Sequence, residues 1–264
     1  MKKIYLTLIL VCTNLQAQIN IYSHRHYDSD KILFKKFTDQ TGIKINVIKG
    51  SADQLIERLI SEGGNSPADI LFTVDAGRLH RAKVAGILQP IESKILSENI
   101  PPSMRDEDDY WFGLTVRARV LVYSKKRVTP DQLSTYEDLA NRKWRGKIAV
   151  RSSSNIYNQS LMASIIASNG SRKALTWAKS IRKNMARAPR GSDRDQARAV
   201  AAGLADVAIM NTYYLGILAN SPDAKDREVF NKVSVFFPNQ NDRGTHINIS
   251  GAGITKSSKN KKDA

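Results

Sequence analysis

The sequence predicts an α/β protein built as two lobes joined by strands that cross between them. Three observations carry that prediction. Short β-like runs alternate with amphipathic helical patterns along most of the chain. One run, "YWFGLTVRARVLVYSK" at 110–125, is long and β-rich, and reads as a strand pair leading out of one α/β unit and crossing to a second. With 264 residues, 41% of them hydrophobic, the chain has material for one large domain or two lobes.

The elements follow in order. Met1-Lys2-Lys3, an apolar run to Cys12 and the small residue Ala17 describe a secretory signal peptide over 1–17. The run is shorter than the ~20 apolar residues a membrane span needs. Bulky Val11 before Cys12 weakens a lipoprotein reading, and a buried N-terminal strand is the weaker alternative. Removing this segment removes the only cysteine, so the mature chain has no disulfide and no thiolate. That composition fits a bacterial periplasm. The net charge of +16 becomes 16 − 2 = +14 once Lys2 and Lys3 are gone. Lys and Arg are spread along the whole chain without a nucleic-acid motif, which describes a solvated basic surface rather than a nucleic-acid binder.

A strand is expected at 19–22, then a helix over 29–40 with Leu33, Phe34 and Phe37 on one face and Gly42 as its stop. A second strand occupies 44–48. Ser51 and Asp53 open a helix carrying Leu55, Ile56, Leu59 and Ile60. A third strand at 69–73 precedes a helix around 77–85. The long run then alternates Val116, Ala118, Val120 and Val122 with Arg117 and Arg119. Beyond it come the strand "GKIAVR", two helices within 158–185, a helix over 194–202, the strand "ADVAIMN" and a helix from about Thr212. "VSVFFPN" at 233–239 reads as the return path. The division is an N-terminal lobe at 18–115, a C-terminal lobe at 116–235 and a return segment at 236–264.

Ligands of α/β sheets bind at strand carboxyl ends, beside helix N-termini. Three such turns carry tyrosine: "HRHYDS", "SSSNIYNQS" and "MNTYYLG". Turns of this kind ordinarily hold Gly, Ser, Asp or Asn, which serve positive φ and N-caps. Asp28 or Ser29, Asn158 and Thr212 could do the capping, leaving the rings for other work. Tyr213 and Tyr214 would diverge by about 100° on a regular helix, so both reach one site only where the helix begins. One such tyrosine alone is better explained as packing. Four at equivalent turns point to a site.

A phenol with pKa of about 10 is a poor ligand until a highly charged cation displaces its proton. Hard oxygen donors, with imidazole admissible, suit Fe(III). Zinc or copper would more often bring several histidines or cysteines, and the chain has four His and no mature Cys.

"YSHRHYDSDK", "ADILFTVDAGRL", "WFGLTVRARVLVYSK", "NIYNQS", "NTYYLG" and "GTHINISGAG" together resemble the ferric-iron-binding periplasmic proteins of bacterial ABC importers, of the FutA type. The resemblance runs through essentially the whole mature chain. It implies a two-lobed, class II periplasmic binding protein that closes on one iron, a monomer that delivers to an inner-membrane permease. It implies Tyr27 as ligand from the N-terminal lobe and Tyr157, Tyr213 and Tyr214 from the C-terminal lobe. His26 stands where some relatives use an additional histidine ligand, or else outside the ligand set. Arg117 matches an arginine that approaches the site, offsetting phenolate charge or holding an anion; Arg119 is expected to be structural. Four phenolates on Fe(III) sum to about −1, from 3 − 4, which one guanidinium offsets. Fe(II) would leave excess negative charge, so it would bind with one phenol protonated or displaced. Relatives continue past "SGAGITKSSKN" with further helices, so a chain stopping at "KKDA" is expected to be truncated, with every ligand encoded before the break.

The alternative on the same fold is an oxyanion or small organic anion held by helix N-termini and Arg117. An enzyme is not expected: there is no Gly-x-Ser-x-Gly elbow, metalloprotease His pair, phosphate loop or cysteine nucleophile.

Overall fold

The structure, a computed structural model, describes residues 17–25 and 27–264. All of the expected signal segment except Ala17 lies outside the described residues, and so does His26. The elements run β1 (Gln18–Ser23), α1 (Asp28–Thr41), β2 (Lys44–Lys49), α2 (Ala52–Glu62), β3 (Ile70–Val74), α3 (Ala76–Val84), α4 (Lys94–Asn99), β4 (Phe112–Ser124) and β5 (Ile148–Ala149). They continue with α5 (Ile156–Asn169), α6 (Ser171–Asn184), α7 (Asp193–Ala201), β6 (Val207–Asn211), α8 (Tyr213–Ala219), α9 (Ala224–Lys232), β7 (Val233–Phe236) and β8 (Ile247–Ile254).

Among the described residues the strands form one path, β2-β1-β3-β8-β4-β6-β5, with β7 also paired to β4. The path divides within the 13-residue β4. Its first half, to Ala118, pairs antiparallel with β8; from Arg119 onward it pairs with β6 and β7. A single long strand thus serves both lobes, where the run at 110–125 was expected to form a strand pair. The first lobe packs its core around Tyr22, Leu55, Leu71 and Leu79. The second has cores on both sheet faces, around Leu121 and Ile209 on one and Val120 and Met210 on the other. Burial of both faces is why residues 120–123 read as an unbroken apolar run.

The return strand is β8. The segment expected to return, 233–239, instead forms β7 and stays with the second half of β4. β8 passes between β3 and β4, antiparallel to both, through "INISGAGI". Its glycines answer to close approach: a Cβ on Gly251 or Gly253 would press on the carbonyl oxygens of Phe112 or Tyr110.

The first helix departs from the expected face. Leu33 is 61% exposed; of the three expected contacts Phe34 is the one that packs against the Ile19, Ile21 and Phe72 cluster. α1 is tied down at its start by the buried Arg25–Asp30 ion pair, 2.7 Å long, so apolar periodicity misplaces its buried side. In α2, by contrast, Leu55, Ile56 and Leu59 are buried and Ile60 is not. Ser51 and Gln54 close a reciprocal capping box at its start. Ser51→Ala is expected to lower stability by about 1 kcal/mol, measured as a shift in denaturant midpoint.

Candidate metal centre

Each of the three tyrosine turns sits where a strand leaves the sheet, and each presents its ring differently. Tyr27 is itself the N-cap residue of α1, with an extended backbone (φ −86°, ψ 140°) and no capping side chain. Asp28 and Ser29, expected to cap, lie inside the first helical turn. α5 is capped by Asn155, which accepts from the Tyr157 N–H at 3.1 Å. Asn158 instead uses its amide to hold the preceding loop through the Arg151 and Ser152 carbonyls. Thr212 is the N-cap residue of α8 without a capping bond; its hydroxyl is turned toward the Ala118 N–H, 3.4 Å away. Tyr213 and Tyr214 are the first two residues of that helix.

These turns bring all four expected tyrosines together. The Tyr213 and Tyr157 hydroxyls are 3.4 Å apart. The Tyr27 and Tyr213 rings meet edge-on with centroids 6.3 Å apart, and Tyr213 and Tyr214 stack at 4.3 Å with a 37° tilt. Tyr27 comes from the first lobe, the other three from the second. Beside them lies a cavity of about 260 Å³, lined by Arg25, Tyr27, Thr115, Arg117, Tyr157 and Tyr213 among others. Among the described residues no group of three His, Cys, Asp or Glu side chains could hold a metal.

Burial raises the phenols of Tyr27, Tyr213 and Tyr214 above their ordinary value, and the neighbouring Tyr157 adds to the effect at all three. In the free protein these three hydroxyls are therefore neutral at physiological pH. Guanidinium groups stand beside two of the four rings. Arg25 lies 5.0 Å from the Tyr27 ring centroid, and Arg117, Arg119 and Arg151 lie 5.1, 5.9 and 5.7 Å from that of Tyr157. Arg117 and Arg119 are both buried, but they are anchored differently. Arg117 bonds Asp75 and the Ile249 carbonyl in the first lobe. Arg119 bonds Asp193, Asn211 and Asn158 in the second, and so holds the start of α5. Arg117 thus faces Tyr157 from the first-lobe side, and Arg119 holds the start of α5 while also standing near it.

Arg25, Arg151 and Asp75 are absent from the sequence reading. Arg25 carried a usable signal, its place two residues before Tyr27 in "HRHY". Asp75 follows a strand directly as the N-cap of α3, at the same kind of turn as the tyrosines. Arg151 precedes the "SSSNIY" turn by one residue.

A model of the family described as bacterial extracellular solute-binding protein matches residues 65–264. The chain belongs to that family. Within it, this solute-binding protein is 52% identical over 249 residues to iron uptake protein A1 of Synechocystis, covering 94% of this chain and 69% of that one. Among solved structures it is similar to the Trichodesmium IdiA/FutA protein in complex with iron and citrate, with a TM-score of 0.91 and 55% identity over 94% of this chain and 78% of the other. The ferric binding protein of Campylobacter jejuni matches at a TM-score of 0.88 and 50% identity, over 93% and 78%. The solute-binding protein therefore shares its two-lobed α/β fold with ferric-binding relatives.

Proposed function

We propose that this chain is a non-catalytic carrier that captures ferric iron in the periplasm and hands it, as a monomer, to an inner-membrane ABC permease. The observation that carries the reading is the convergence of four phenols from three strand-to-helix turns and two lobes. The ligands are Tyr27, Tyr157, Tyr213 and Tyr214, with His26 beside Tyr27 as a further candidate. The lobes span 18–115 and 116–235, with 236–264 returning to the first. The family description as extracellular solute-binding and the expected signal segment support the periplasm. The named relatives' iron uptake supports the cargo.

In the chemistry that follows, Fe(III) replaces phenolic protons as the lobes close. Arg117 and Arg151, facing Tyr157, offset the negative charge that develops on its oxygen. Because burial holds three of the phenols neutral, each one that ligates releases a proton. Affinity therefore rises with pH and falls as acid returns the protons. Competition against citrate at about pH 7 and 8 is expected to show affinity changing by more than about tenfold per pH unit, since more than one proton leaves. Binding independent of pH, with no proton release in an unbuffered titration, would remove the phenolate site.

A further inference from the structure

Asp75 is the most heavily committed carboxylate of the cleft, and one of its partners differs from the rest. It is 1% exposed and caps α3 from a left-handed backbone, φ 84°. Its Oδ1 accepts from the Gly77 N–H at 3.1 Å. Its Oδ2 accepts from Arg117 Nη2 at 3.1 Å, Asn248 Nδ2 at 2.9 Å and Ser160 Oγ at 2.7 Å. Its own N–H donates to Ile249 O at 2.8 Å, and Asn248 Oδ1 accepts from the next N–H, that of Ala76, at 3.0 Å. Gly77 belongs to the first lobe, Asn248 and Ile249 to the returning strand β8, and Arg117 to the half of β4 that pairs with β8. Ser160 belongs to the second lobe, on α5, one helical turn beyond Tyr157.

We propose that the Asp75–Ser160 hydrogen bond is a closure clasp that holds Tyr157 against the first lobe and slows release of the bound cation. The proposal rests on the ferric reading above. A hydroxyl donating to a buried carboxylate makes a charge-assisted bond, stronger than a neutral pair. Opening the lobes would free Ser160 to water while Arg117, Asn248 and Gly77 still satisfy Asp75. The clasp can therefore break without orphaning a buried charge. Because Ser160 and Tyr157 ride on one helix, making the bond draws the phenol toward Tyr27 and Arg117. Ser160 is thus a positioning residue that touches no metal.

The test is iron release into excess citrate, followed by stopped flow at the iron–phenolate absorption band in wild type, Ser160→Ala and Ser160→Thr. Ser160→Ala is expected to release iron about tenfold faster, with the band at an unchanged wavelength and one iron per chain. Ser160→Thr, which keeps the hydroxyl, is expected to restore the slow rate. A wild-type rate in Ser160→Ala, or equally fast release in both variants, would overturn the clasp and leave the iron site standing. A wild type without the band would overturn the ferric reading and the clasp with it.

Discussion

Tyr214→Phe is expected to weaken ferric-iron binding by at least about 100-fold while leaving the fold unchanged. Outer-shell partners of metal sites typically cost 10–100-fold when removed, and a direct ligand costs more. The substitution deletes one oxygen and keeps the ring, so its contact with Tyr213, 4.3 Å away, is retained. Tyr214 packs against the apolar side of the second lobe with its ring, so stability should change little. Citrate competition gives the affinity and circular dichroism the fold. Unchanged affinity in a folded variant would remove Tyr214 from the site.

The largest expected effect on stability is that of Asp193→Ala. Asp193 is fully buried, accepts from Arg119 Nη1 at 2.5 Å and from the Asn211 N–H at 2.8 Å, and faces Arg151 at 3.5 Å. Arg119 is itself 2% exposed. Removing the carboxylate strands a guanidinium in the interior, a loss of about 3–5 kcal/mol. For a chain of this size that corresponds to a melting point lower by roughly 10 °C. The same network holds Asn158 and hence the start of α5, so iron affinity should fall alongside stability. A melting point within about 2 °C of wild type would show that Arg119 finds compensation elsewhere.

Asp193 draws its partners from positions 18, 42 and 74 residues away, and such distance in sequence separates what was legible from what was not. The alternation of β4 is a local property, and the crossover between lobes was legible in it. The tyrosines were legible because their type is wrong for the turns they occupy. Asp75 was not, because an aspartate at a helix start is ordinary, and its meaning comes from partners 42, 85 and 173 positions away. The buried side of α1 was misjudged because an ion pair, Arg25–Asp30, sets its orientation where periodicity counts only apolar residues. Within the return segment expected at 236–264 the strand β8 itself was not marked, because Gly251 and Gly253 lower its β character, although those glycines are what let it run between two strands. The cap position was misplaced at two of the three turns, and at the third Thr212 holds it without a capping bond. Tyr27, Asn155 and Thr212 hold the cap positions, and only Asn155 uses its side chain.

The central claim is that four tyrosines from two lobes form one ferric site. A visible spectrum of the purified mature protein titrated with ferric citrate tests it most directly. The account predicts a red-orange phenolate-to-iron charge-transfer band that grows linearly and saturates at one iron per chain. A folded protein that takes up no iron, or binds it without that band, would contradict the tyrosine site.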